Sequence, residues 1–152
     1  MRMRELSIEI NNLAGLEFEE SFFEKVAEDT LKSSGVDCLK EKEISISVAL
    51  VSEEEISGIN KRYRQKDCPT DVLSFSEYAK IEELCDNGSE EVFLGEIIIC
   101  PDYLEKSAKQ QGVTFEFELA YIFSHGILHL LDFSHGEEMF SLQERVAKKI
   151  SK

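Results

Sequence analysis

Hydrophobic residues in this 152-residue chain recur with two different periods, and the switches between them lay out its elements. Leu6, Ile8 and Ile10 alternate with polar neighbours as in a half-buried strand, and Ile44 to Val51 repeats that alternation more clearly. Between them, Ser21 with Glu24 has the form of a capping box and predicts a helix to about Lys32. Ser52 with Glu55 predicts a second helix, carrying Ile56, Ile59 and Tyr63 on one side and delivering Arg64 to its end. Val72 to Phe75 reads as a short strand, and the continuous apolar run Leu94 to Cys100 as a buried one. Residues 77–92 form an acidic connection with a turn signal at Asp86-Asn87-Gly88. Asp102 with Glu105 starts a helix that Gly112 stops. A long apolar helix then runs from about Phe115 to Leu130, buried between the sheet and a final helix near Ser141 to Ile150. The order is that of an α+β fold without repeats, and the length asks for one compact domain over residues 1–152.

Charge and cysteine content narrow the setting. The amino terminus lacks the apolar core of a signal peptide and no run reaches membrane-helix length, which predicts a cytoplasmic protein without a membrane partner. Cys38, Cys68, Cys85 and Cys100 are widely spaced with no C-x-x-C pair, so reduced, buried thiols are expected. The net charge of −14 disfavours general nucleic-acid binding, which gains affinity by releasing phosphate counterions to Lys and Arg. Basic residues nevertheless gather at Lys61, Arg62, Arg64 and Lys66, leaving one local positive edge.

The candidate chemistry lies in the long apolar helix. All three histidines fall within eleven residues, His125, His129 and His135, spaced H-x3-H-x5-H. On a helix, residues i and i+4 share a face, so His125 and His129 aim at one point. Asp132 to Ser134 supply the turn that returns His135, because Asp tolerates left-handed backbone and both residue types bond locally to the main chain. Three imidazoles with an open fourth position are the pattern of catalytic zinc, whereas structural zinc takes four protein ligands. Gly126 stands where zinc peptidases of the H-E-x-x-H type carry their general base, so proteolysis is disfavoured.

The segment His125 to His135 resembles the signature of the YbeY family of bacterial rRNA maturation factors, H-G-x-L-H-L-x-G-Y-D-H. Asn60 to Phe75 is similar to that family's N-x-x-Y-R-x-x-x-x-P-T-[DN]-V-L-S-F segment, and Leu94 to Ile97 to its L-G-[DE]-I strand. The departures are Asp132 for Gly, Phe133 for Tyr and Ser134 for Asp. One consequence considered for them is that Asp132 takes over the orienting of His135 or the metal. The resemblance implies a small mixed β-sheet of about four strands packed with helices, a zincin-like metal helix and one Zn²⁺ on His125, His129 and His135. It also implies a single-strand-specific endoribonuclease acting in 16S rRNA 3′-end maturation and ribosome quality control, with Arg64 as the essential arginine of the metal cleft. Implied partners are single-stranded rRNA, the small ribosomal subunit and a ribosomal protein or assembly GTPase, with no DNA.

From the residue types, zinc would acidify a water and polarise a phosphoryl oxygen, while Arg64 clamps the phosphate and the charge of the transition state. Asp71 and Glu96 are the candidate proton acceptors if the fold brings either near the metal. Thr70 and Ser74 are candidates for phosphate or substrate hydroxyls, or else shape the turn into the strand, and Tyr63 and Phe75 either stack bases or pack the core. Two alternatives stay open: a non-catalytic assembly module stabilised by zinc, and a metallohydrolase of another substrate class.

Overall fold

The computed structural model describes residues 5–86 and 88–151. Strands β1 (Leu6–Asn12), β2 (Glu43–Leu50), β3 (Val72–Ser76) and β4 (Glu91–Ile99) form a mixed sheet in the order β1-β2-β4-β3. β1, β2 and β4 are parallel and β3 closes one edge antiparallel to β4. The helices are α1 (Ser21–Ser34), α2 (Glu53–Arg64), α3 (Ile81–Asp86), α4 (Pro101–Gln111), α5 (Phe115–Leu130) and α6 (Glu137–Ile150). The expected α+β class and four-stranded mixed sheet are both present.

Side-chain alternation assigns the two sheet faces. Ile44, Ile46, Val48 and Leu50 of β2 and Ile97 and Ile99 of β4 join the main core with α1 and α5. On the other face Ile98, Leu73 and Val51 pack with Ile56 of α2, and Phe75 borders them. The phase of β4 is set by a bulge at Gly95, where the pairing with β2 shifts between Ser45 and Ile46. Gly95 has φ 146°, and a side chain there would collide with the Phe75 carbonyl and Leu130.

The long apolar segment forms α5 with the expected ends, Phe115 and Leu130, and the Thr114 hydroxyl accepts from the Phe117 N–H at its start. Leu119, Ile122, Phe123, Ile127, Leu128 and Leu130 are buried, each worth about 1.5–3 kcal/mol relative to exposure. Tertiary burial therefore holds this helix, which suits it as a rigid platform. Phe23 of α1 meets Phe123 edge-on at 5.1 Å, and a buried Thr30–Ser124 hydroxyl pair at 3.0 Å joins the same two helices. Gly126 packs closely on the sheet: a Cβ there would lie 3.0 Å from Ile97 Cγ2, so the Ile97 side chain would have to shift by a few tenths of an ångström. The position that carries a glutamate in H-E-x-x-H peptidases thus lies against Ile97 of the sheet.

Several local expectations are corrected. α1 starts without the Ser21–Glu24 box, because Glu20 is already helical and the Phe22 N–H bonds the Glu19 carbonyl. α4 opens at Pro101, not through Asp102, since proline has the helical φ and no N–H to satisfy. The Ser52 cap does form, accepting from the Glu55 N–H at 3.2 Å. The connection 77–92 contains α3, a short helix below the length at which periodicity is readable. Its turn signal includes Asn87, which lies outside the described residues. α6 begins at Glu137, four residues before the expected Ser141.

The cysteines also depart from expectation. Cys38 and Cys85 form a disulfide across 47 residues, with Cα atoms 5.4 Å apart, which ties α3 to the 3-10 turn Asp37–Leu39. Tertiary folding brings together two positions that no short-range spacing relates. Cys68 and Cys100 are free, the first exposed and the second buried, and burial pushes the Cys100 thiol up. No helix of the described residues is long and apolar enough to cross a membrane.

Candidate metal centre

α5 presents His125 and His129 one turn apart, and the chain then reverses to return His135. The reversal rests on Asp132, which has φ 67°, a conformation that Asp tolerates better than most residues. The Asp132 N–H bonds the His129 carbonyl and the Phe133 N–H bonds the Leu128 carbonyl, both at 3.0 Å, so the helix end is closed by the turn itself. The Asp132 Oδ2 accepts from the Ile81 N–H, at 3.4 Å, so this carboxylate also anchors the start of α3.

The three imidazoles converge through one nitrogen each. His129 Nε2 lies 3.0 Å from His125 Nε2 and 2.8 Å from His135 Nε2. His125 and His129 are half-buried and His135 is exposed, so the cluster opens to solvent on the His135 side. A buried amide fixes the proton on His125. Gln143 of α6, 1 % exposed, donates from Nε2 to the Tyr121 carbonyl at 3.3 Å and turns Oε1 to His125 Nδ1 at 3.1 Å. A carbonyl oxygen only accepts, so the amide orientation is set, and Nδ1 must be the N–H of His125. Its Nε2 is therefore a bare lone pair aimed into the cluster.

Burial favours the neutral form of His125 and His129. Desolvation by burial, followed by the neighbouring His125, His135 and Arg64, lowers His129 to about 4. Burial likewise lowers His125; the Gln143 bond and the Asp71 charge oppose the shift, while His135 reinforces it. The donor set fits a tetrahedral zinc ion. Zn–N bonds of about 2.0–2.1 Å imply N···N separations near 3.3 Å; the two separations from His129 Nε2 lie within a few tenths of an ångström of that, and the three ligand atoms all fall within 4.8 Å of one another.

The remaining expected residues divide between near and far. Arg64 ends α2, exposed, close enough for its charge to act on His129. Asp71 precedes β3, and its charge reaches His125; its Oδ1 accepts from the Val72 N–H at 2.7 Å and from the Thr70 hydroxyl at 3.3 Å. Ser74 pairs with Ile97 across the strands and so shares the α5 face, as does Ser76, whose Oγ donates to the His129 carbonyl at 3.5 Å. Glu96 pairs with Phe75 and alternates with Ile97, so its side chain leaves the sheet on the α2 face, away from the histidines. Tyr63 and Phe75 contact each other on that same side, centroids 5.2 Å apart.

Two residues of the site were not singled out in the sequence. Gln143 lies among Met139, Leu142, Val146 and Ala147 on the buried face of α6, and a polar residue within an apolar stripe is a signal that could have found it. Asn60, 2 % exposed, donates from Nδ2 to the Cys68 carbonyl at 3.0 Å. It ties the loop that leads from Arg64 to Asp71 back onto α2.

Comparison with known proteins gives one family. The family model described as Endoribonuclease YbeY matches residues 9–151. Among similar proteins, an Endoribonuclease YbeY of Pelotomaculum thermopropionicum is 35 % identical over 127 residues, 83 % of this chain and 80 % of that protein. The Endoribonuclease YbeY of Bacillus pumilus is 39 % identical over 127 residues, 78 % of this chain and 80 % of its own. The solution structure of TM1509 from Thermotoga maritima superposes with a TM-score of 0.63 at 31 % identity, covering 95 % of this chain and 88 % of that one. A match over nearly the whole described chain, with a shared fold and relatives above 30 % identity, places this chain in the endoribonuclease YbeY family.

Proposed function

We propose that this protein is a zinc-dependent endoribonuclease that cuts single-stranded rRNA in 16S 3′-end maturation and ribosome quality control. The observation that carries the reading is the convergence of three Nε2 atoms with the His125 lone pair held inward by buried Gln143. Family membership supplies the substrate class. His125, His129 and His135 would hold the ion, which when bound supplies Lewis acidity toward a phosphoryl oxygen and acidifies water at neutral pH.

The chain's own groups then divide the work. Arg64, at the exposed end of α2, binds the scissile phosphate and the charge that develops on it, a task suited to a guanidinium fork. Asp71 is the proton acceptor in this reading; one oxygen is engaged by Val72 and Thr70, which leaves the other for the attacking water's proton. The Thr70 hydroxyl, already donated to Asp71, orients that carboxylate, and Ser74 on the α5 face offers a hydroxyl to substrate. Glu96 faces the other side of the sheet and is assigned no step.

The net charge of −14 favours a basic ribosomal partner that holds the RNA, in the cytoplasm and in the small subunit or with an assembly GTPase. The test is cleavage of a labelled single-stranded rRNA fragment by protein of measured zinc content, with Arg64→Ala and His129→Ala purified alongside. Zinc-dependent cutting lost in both variants is expected. Cutting that persists in both refutes the nuclease reading and favours an assembly module with structural zinc.

A further inference from the structure

Among the described residues, the large hydrophobic side chains left exposed are Leu13, Tyr63, Phe93 and Phe140. Phe140 is 45 % exposed in the first turn of α6, beside Met139, which is fully buried. Its ring is not part of the three buried clusters. It lies instead nearly parallel to the His135 ring, at 17° and 6.2 Å between centroids, and His135 is nearly parallel to His125, at 21° and 5.2 Å. The flat face of Phe140 thus continues a row of rings outward from the metal centre.

The charges around this ring select what it would take. Glu137 and Glu138 lie exposed in the same turn and repel phosphate, whereas Arg64, whose charge acts on His129, and a cation held by the histidines would draw phosphate to the cluster. A nucleotide laid along the row places its phosphate at the cluster and its uncharged base over Phe140, one sugar away. We propose that Phe140 is a stacking platform for the nucleobase next to the scissile phosphate, and that it confines the site to unpaired RNA. A base in a duplex is stacked on its own neighbours and offers no free face. The inference rests on the nuclease reading and extends it to a specificity-determining residue.

The test uses full-length, zinc-loaded protein and short single-stranded RNA oligonucleotides, intact or carrying one abasic residue on either side of the cut. Phe140→Leu keeps an apolar side chain without a ring, and Phe140→Tyr keeps the ring. Removing one base–aromatic stack weakens binding about 5- to 150-fold. We expect KM to rise by that factor in Phe140→Leu with kcat little changed, Phe140→Tyr to match the wild type, and zinc content to be equal in all three. On one side of the cut, the abasic residue should raise KM for the wild type and not further for Phe140→Leu. Equal KM for wild type and Phe140→Leu, or an abasic effect of the same size in both, overturns the platform while leaving the nuclease reading intact. A wild type that cuts no RNA overturns the nuclease reading, and the platform then falls if fluorescence anisotropy gives wild type and Phe140→Leu the same Kd for the oligonucleotide.

Discussion

Replacing Gln143 with Leu should separate the metal centre's geometry from its ligands. The side chain is 1 % exposed and makes two hydrogen bonds, to the Tyr121 carbonyl at 3.3 Å and with His125 Nδ1 at 3.1 Å. Leucine fills similar volume but offers His125 no acceptor. The buried Nδ1–H is then unsatisfied, at a cost of about 1–3 kcal/mol, and the ring relieves it by moving its proton to Nε2, the atom that faces the other histidines. Since 1.4 kcal/mol is tenfold, zinc affinity should fall about 5- to 150-fold, in line with the roughly 10- to 100-fold that outer partners of ligand histidines contribute. Competition with a chromophoric chelator at pH 7 measures the affinity. Nitrogen chemical shifts of His125 in the metal-free wild type should show the proton on Nδ1. Gln143→Glu, which keeps an acceptor, should bind zinc more tightly than Gln143→Leu. A folded Gln143→Leu with wild-type zinc affinity, or a wild-type His125 protonated on Nε2, would refute the argument.

Three further outcomes are expected. His129 is held neutral in the fold down to about 4, while in the unfolded chain it takes up a proton near 6.5. Unfolding therefore binds a proton between those values, so in the metal-free protein this group's contribution is present above about pH 6.5 and is lost as pH falls toward 4. In denaturant titrations, the stability of the wild type relative to His129→Asn should decline through that window; a constant difference would contradict the burial argument. Reducing the Cys38–Cys85 disulfide, or replacing Cys38 with Ser, releases a 47-residue loop and should cost about 2–4 kcal/mol, seen as a lower unfolding midpoint than that of the oxidised wild type. Gly126→Ala brings a Cβ to 3.0 Å from Ile97 and should cost about 1–3 kcal/mol through overpacking; an unchanged melting temperature would show that α5 and β4 separate more easily than their contact suggests.

What could be read in the chain was whatever depends on residues near one another. The period of two in Ile44 to Leu50 and the long apolar run of α5 were legible because each reports burial along a single element. So was the histidine spacing, since i and i+4 share a helix face whatever surrounds it, and the left-handed Asp132 follows from the residue's own backbone preference. Helix starts were less legible: the caps at Ser21 and Asp102 failed because the chain's path into the helix, or a proline one residue earlier, settled the backbone first. Tertiary structure alone decided the rest. A bulge at Gly95 turned Glu96 to the α2 face and left Asp71 as the carboxylate near the cluster, α6 brought Gln143 to His125 across 18 residues, and packing of α3 joined Cys38 to Cys85. The physical reason is common to these cases. Local periodicity records which face of an element is buried, but which distant atom meets a given side chain depends on strand phase and helix docking, and these are set by the whole core at once.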